Sequence, residues 1–166
     1  MEELNDSTAA DESLGPSAAK KARLPLPAPC TDKADYEAMC EFANAIAQPM
    51  ANRKQAKKLY KLISKASKVK LHLRQGIVDV QRALRKNETG IVVLAGDVTP
   101  IDIYAHIAAM CEEARLPYCY TPSKHHLGLA TGHRRPSIMC MVREHADYVQ
   151  LYKDMHEMVE HMPIPR

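Results

Sequence analysis

Gly90-Ile91-Val92-Val93-Leu94-Ala95-Gly96-Asp97-Val98-Thr99-Pro100 is the stretch on which the reading of the fold turns. Ile91 to Ala95 are apolar without alternation, the pattern of a central strand covered on both faces. A helix start follows, with Thr99 at the N-cap, Pro100 at the first helical position and Asp102 three residues after the cap. A glycine and an acid between strand and helix also invite the reading of a phosphate cradle, and spacing decides against it. A dinucleotide fingerprint needs three glycines where only Gly96 is present, and a P-loop needs a lysine that this region lacks. The stretch is a buried strand delivering a helix whose exposed start is available to a ligand.

Outward from this strand the apolar residues keep helical spacing. Tyr36, Met39, Cys40, Phe42, Ala43 and Ile46 predict a helix from Asp35 until Pro49 interrupts it. Leu59, Leu62, Ile63 and Ala66 predict a second over Lys54 to Ser67, and Ile77, Val80, Ala83 and Leu84 a third, from Gly76 to near Asn87. Downstream, Ile103, His106, Ile107, Met110 and Cys111 carry the Thr99 helix to Leu116, where Pro117 stops it. Tyr118 to Thr121 reads as a strand, Lys124 to Thr131 as a loop with a short helix, Ser137 to Val142 as a strand and Tyr148 to Met162 as a final amphipathic helix. Strands alternating with helices define an α/β sandwich.

The chain has 166 residues, 46% of them hydrophobic, which suits one packed domain over 34–162. Residues 1–33 carry few bulky apolar side chains and end in Pro25, Pro27 and Pro29, so a disordered tail is expected there, with a short second tail over 163–166. Lys20, Lys21 and Arg23 within the first tail are either part of a nuclear import signal or simply solvated charge. The acidic N-terminus is unlike a signal peptide, and no apolar run approaches the ~20 residues of a membrane span, so no membrane partner is expected. Five cysteines, at 30, 40, 111, 119 and 140, form no Cys-x-x-Cys pair and favour a reduced compartment.

Seven Tyr, one Phe and no Trp leave few rings for an aromatic platform that stacks on bases. Catalytic groups are equally scarce. Glu112 and Glu113 read as a solvated helix face, and no Ser-His-Asp or Cys-His spacing predicts a dyad. His125, His126 and His133 lack the spacing of metal ligands and read as exposed loop residues; neither cofactor nor metal is expected. Charge is the compositional signal that stands out: Ala51 to Lys86 holds twelve Lys or Arg and one acid, Asp79, in a chain of net charge only +3. A solvated face is the usual explanation of such a run, but twelve to one exceeds what solubility needs, and a field of that sign concentrates phosphate-bearing partners. Arg134 and Arg135 form a second basic group in the Gly132–Pro136 loop.

Arg74-Gln75-Gly76-Ile77-Val78-Asp79-Val80-Gln81-Arg82, then LAGDVTPID (94–102), LPYCYTPSK (116–124), Leu127-Gly128 and Arg135-Pro136, together resemble the kink-turn-binding ribosomal protein family. The likeness runs from about Tyr36 into the last helix. Within the family, AIAQPMANRKQAKKLYKLISKASK (45–68) is similar to the eukaryotic branch found in H/ACA ribonucleoproteins rather than to archaeal or spliceosomal members. The resemblance implies a three-layer α/β/α sandwich with a small mixed sheet. It implies a non-catalytic subunit of the nucleolar particle, with an H/ACA guide RNA, a separate pseudouridine synthase and two other small core proteins as partners. Pseudouridylation of rRNA and snRNA, ribosome biogenesis and the stability of telomerase RNA are the processes it implies. A ribosomal or spliceosomal kink-turn-binding protein, a purely structural adaptor and a small nucleotide-dependent enzyme stay open as alternatives.

The family reads RNA with a Gly-x-Asn-Glu-x-x-Lys turn at the start of the third helix. Here Gly76 is retained, Asp79 stands for the acid one carbon shorter, and Arg82 stands for the lysine. Val78 replaces the asparagine and removes an amide that donates and accepts. With flanking Arg74 and Gln75, and with Thr99, Ile103, His133, Arg134 and Arg135 matching the family's other contacts, these residues are the expected RNA-binding set. The expectation requires the Gly76 turn and the His133–Arg135 loop to lie on one side of the molecule.

Overall fold

The computed structural model describes residues 32–163. Cys30, the Lys20–Arg23 cluster and nearly all of the two expected tails lie outside the described residues. Six α-helices, α1 (Lys33–Glu41), α2 (Arg53–Ala66), α3 (Ile77–Arg85), α4 (Ala105–Glu113), α5 (Lys124–Ala130) and α6 (Val149–Glu160), enclose four strands. These are β1 (Leu73–Gln75), β2 (Ile91–Ala95), β3 (Tyr118–Thr121) and β4 (Met139–Val142).

The strands form one mixed sheet in the order β1-β4-β2-β3, with β2 and β3 parallel and β4 antiparallel to both β1 and β2. Ile91 pairs with Val142 and Leu94 with Met139, so β2 and β4 share the centre. Both are buried throughout, as continuous apolar runs require of strands covered on two faces. α3 and α4 pack together on one face, and α2 with α5 and α6 on the other. The molecule is an α/β/α sandwich. At the outer edge of β3, the backbone of Pro49–Ala51 adds a short strand-like rung: Tyr120 N–H bonds Pro49 O and Ala51 N–H bonds Tyr120 O, each at 2.9 Å.

Four details depart from the sequence reading. β1 was not foreseen, because Leu-Arg-Gln shows neither an apolar run nor alternation; pairing with β4 makes it a strand. α1 ends at Glu41 rather than near Ile46, and Phe42 and Ile46 are exposed; Asn44 is instead pulled onto the β2 side, its N–H bonding Gly96 O at 2.7 Å. Thr99 is no N-cap: Pro100 is extended, a 3-10 turn spans Ile101–Ile103, and α4 begins only after Tyr104. Ile103 and His106 therefore face solvent, and fully buried Tyr104 takes the core position. His125 and His126 sit on α5 rather than in a loop, and His126 is half-buried.

The helix ends show how local chemistry stops each segment. Arg115, at φ 52°, follows α4, with Arg115 N–H on Glu112 O and Leu116 N–H on Cys111 O. Asn87, at φ 55°, ends α3 the same way through Glu88 N–H on Ala83 O. Both are Schellman endings, so α4 stops before Pro117 is reached. Burial pushes the Cys111 and Cys119 thiols up to about 12, and Cys140 rises for the same reason, which makes them core groups and poor nucleophiles.

The acid of the opening stretch has a structural task. Asp97 Oδ1 accepts from Lys124 N–H at 2.7 Å while Lys124 Nζ donates to Asp97 O at 3.1 Å, so the end of β2 caps the first turn of α5. Replacing Asp97 by Ala is expected to cost about 1–2 kcal/mol of stability, and Asp97→Asn less, in urea titrations.

Candidate nucleic-acid interface

Sheet topology gathers the candidate residues. β1, β2 and β3 run the same way and β4 runs against them, so the exits of the first three and the entry to β4 share one end of the sheet. At that end Gly76 N–H bonds Met139 O at 3.0 Å, Gln75 Nε2 reaches Thr131 O at 3.5 Å, and Ala95 N–H bonds Ile138 O at 2.8 Å. The Gly76 turn, the Gly96–Ile103 segment and the His133–Arg135 loop thus emerge side by side. Gly76 holds φ 81° and ψ 165°, a region nearly closed to other residues, although a side chain there would meet nothing within 4 Å. Its glycine serves the backbone turn rather than a lack of space.

The loop is shaped by α5. Gly132, at φ 84°, ends the helix, and His133 N–H bonds Gly128 O at 3.0 Å. The chain then folds back along the helix: Ser137 N–H bonds Lys124 O at 3.0 Å, and Arg135 O lies 2.2 Å from where a Cβ on Gly128 would stand. Gly128 is therefore what lets the loop lie down. His133, Arg134 and Arg135 are exposed, and among the described residues no carboxylate pairs with either arginine.

Across the end of the sheet, α3 and α4 present their first turns on the same face. Val78 is 64% exposed and Ile103 40% exposed. Asp79 and Arg82 pair across one turn at 3.5 Å, both more than half exposed, an arrangement worth only about 0.3–0.5 kcal/mol and easily exchanged for a ligand. Thr99 is exposed between them and the loop. Asn44, which the sequence did not single out, fixes this region: its Nδ2 donates to Val98 O at 2.6 Å and to the Tyr104 hydroxyl at 2.9 Å.

One expected contributor lies elsewhere. The Arg74 guanidinium turns toward Glu88, at 3.3 Å, which also holds Arg143 at 3.6 Å; Glu88 follows α3 and Arg143 follows β4, at the opposite end of the sheet. The lysines of α2 do not converge on the loop either. α2 starts beside the end of β3, where Ala51 bonds Tyr120, and runs back toward His72, whose carbonyl bonds Arg143 N–H. Its cations are spread along the flank of the molecule. Among the described residues no group of three or more His, Cys, Asp or Glu is placed to hold a metal ion.

With this geometry in view, the relatives of the chain are informative. Residues 57–152 match the ribosomal protein L7Ae/L30e/S12e/Gadd45 family, and the chain belongs to it. It is 52% identical over 154 residues to a Caenorhabditis briggsae protein named putative H/ACA ribonucleoprotein complex subunit 2-like protein, covering 93% of this chain and 94% of that one. The H/ACA ribonucleoprotein complex subunit 2 of Drosophila melanogaster is 48% identical over 81% of this chain and 84% of its own, and that of Bos taurus 44% over 82% and 88%. Among solved structures, the Giardia lamblia 15.5kD RNA binding protein shares the fold at a TM-score of 0.67, with 24% identity over 70% of this chain and 97% of that one.

Two measurements check this geometry. Gly128→Ala should displace Arg134–Pro136 and shift their amide resonances while destabilising the domain by roughly 1–3 kcal/mol. The second concerns His126, whose ring meets Tyr60 edge-on at 6.5 Å. Burial lowers its pKa, helped by His125 and opposed by Asp97 and Asp35. The unfolded chain then binds the extra proton, so wild-type stability should fall relative to His126→Phe as pH drops below about 6.5.

Proposed function

We propose that the chain is a non-catalytic, RNA-binding subunit of an H/ACA small nucleolar ribonucleoprotein. The observation that carries the reading is the convergence of the Gly76 turn with the exposed Arg134 and Arg135, unpaired among the described residues, at one end of the sheet. The H/ACA names of relatives 44–52% identical over most of both chains support the assembly. Gly76, Val78, Asp79, Arg82, Thr99, Ile103, His133, Arg134 and Arg135 are the proposed RNA contacts. Gln75 and Arg74 hold the turn and the sheet behind them. In this reading the pseudouridine synthase is a separate chain, joined by the other small core proteins and an H/ACA guide RNA. The particle modifies rRNA and snRNA in the nucleolus and supports ribosome biogenesis and telomerase RNA.

Val78 sets the character of the binding. A valine at 64% exposure offers van der Waals contact to RNA and no hydrogen bond. Asp79 and Arg82 remain for base edges, and Arg134 and Arg135 for phosphates. The protein therefore binds RNA with a weak preference for structure and is positioned chiefly by its protein neighbours. Filter binding of a kink-turn RNA against the same strand lacking the turn should show less than a hundredfold preference. Val78→Asn should raise that preference by up to about 1–3 kcal/mol, the worth of one good bidentate contact. Arg134→Gln with Arg135→Gln should weaken both RNAs together and flatten the salt dependence by about two phosphate contacts. RNA affinity unchanged by that pair would overturn the assignment.

A further inference from the structure

α2 carries more positive charge than its place in the fold explains. Lys54, Lys57, Lys58, Lys61 and Lys65 are exposed on it, and exposed Lys68 follows its last turn. At 100° per residue these six fall within a stripe about 100° wide. The opposite face, with Leu59, Leu62, Ile63 and Ala66, is wholly buried. Neighbouring lysines three and four positions apart repel one another and weaken the helix, and no acid lies between Ala51 and Val78 to offset them. Asp147 and Asp154, near Lys61 and Lys65 across the start of α6, bond His145 and Gln150 instead. Among the described residues no carboxylate pairs with any of the six lysines. The helix carries this repulsion with nothing among the described residues to offset it.

We infer that the α2 stripe is a second RNA-contact surface, a rail for the phosphate backbone of the RNA helix that continues from the element held at the end of the sheet. The inference rests on the RNA-binding reading above and extends it to a different face. Continuity supports it: the Lys54 end starts beside β3 at the same end of the sheet as the His133–Arg135 loop, and α5, along which that loop lies, packs on α2. From Lys54 to Lys68 the stripe runs roughly 20 Å at 1.5 Å per residue, along which a duplex presents on the order of ten phosphates. Lysine suits this task, since a flexible point charge follows a backbone without reading sequence.

The test uses the full chain and two RNAs, a minimal kink-turn hairpin and the same hairpin extended by a turn of duplex. Lys54→Gln, Lys57→Gln, Lys58→Gln and Lys61→Gln are combined, with the four Lys→Arg changes as a charge-preserving control. The glutamine variant should unfold at no lower a temperature than wild type. It should bind the extended RNA at least about tenfold more weakly at low salt, with a log–log salt slope shallower by about three to four, and bind the minimal hairpin as wild type does. The arginine variant should bind both normally, and Arg134→Gln with Arg135→Gln should weaken both. An unchanged affinity of the glutamine variant for the extended RNA, or equal loss on both RNAs, overturns the rail while leaving the end of the sheet as the RNA site. If the Arg134 and Arg135 changes affect neither RNA, the RNA-binding reading fails and the rail with it. The acidic segment Glu2, Glu3, Asp6, Asp11 and Glu12 is the competing occupant. Should a peptide of residues 1–31 bind the chain that lacks them and fail to bind its glutamine variant, while both bind the extended RNA equally, the stripe seats that segment and the rail is overturned.

Discussion

Pairing of β1 with β4 is the constraint on which the interface depends. Leu73, Arg74 and Gln75 face Val142, Met141 and Cys140, and the bond from Gly76 N–H to Met139 O extends the ladder into the turn. That ladder sets the distance between the start of α3 and the loop that precedes β4. A slip of one residue would turn every β1 side chain to the other face, freeing Arg74 from Glu88 and taking Gln75 from Thr131. The fold thus spends its shortest strand on alignment rather than on core. Behind it, β2 and β4 provide the buried mass that keeps the alignment rigid.

Most of the architecture was legible because its signals are local. Ile91–Ala95 reads as a buried strand from its continuous apolar run and Tyr118–Thr121 as a strand after Pro117, and the apolar faces of α2 and α3 fall where 3.6-residue spacing puts them. What escaped depends on contacts between distant parts of the chain. β1 has no pattern of its own, Asn44 is polar in a run that otherwise looks helical, and the N-cap chemistry at Thr99 was overridden by the burial of Tyr104 and the hydrogen bond Asn44 donates to its hydroxyl. The candidate site was visible as motif and charge. Whether its two halves meet is a question of strand order, which no local signal carries; Gly128 reads as an ordinary small residue until the carbonyl of Arg135 is seen above it.

The interface is uneven in a physically coherent way. Fixed backbone geometry at Gly76 and Gly132 sets the bends that carry exposed cations, while Val78, a proposed RNA contact, has no hydrogen-bonding group in its side chain. Such a surface suits a polyanion, and in the proposed reading it leaves discrimination to whatever else is bound. Ile103 and Val78 add exposed hydrocarbon beside the cations, a mixture suited to contact with ribose and base faces.

The rung formed by Pro49–Ala51 along β3 has a consequence for assembly. It occupies the amide and carbonyl groups of Tyr120 that would otherwise be open to a foreign strand, and the opposite border of the sheet is only three residues long. Among the described residues both margins are poor templates for β-augmentation. Among the described residues, helix surfaces and bends are therefore the larger areas open to a neighbour, and recognition there depends on side-chain identity.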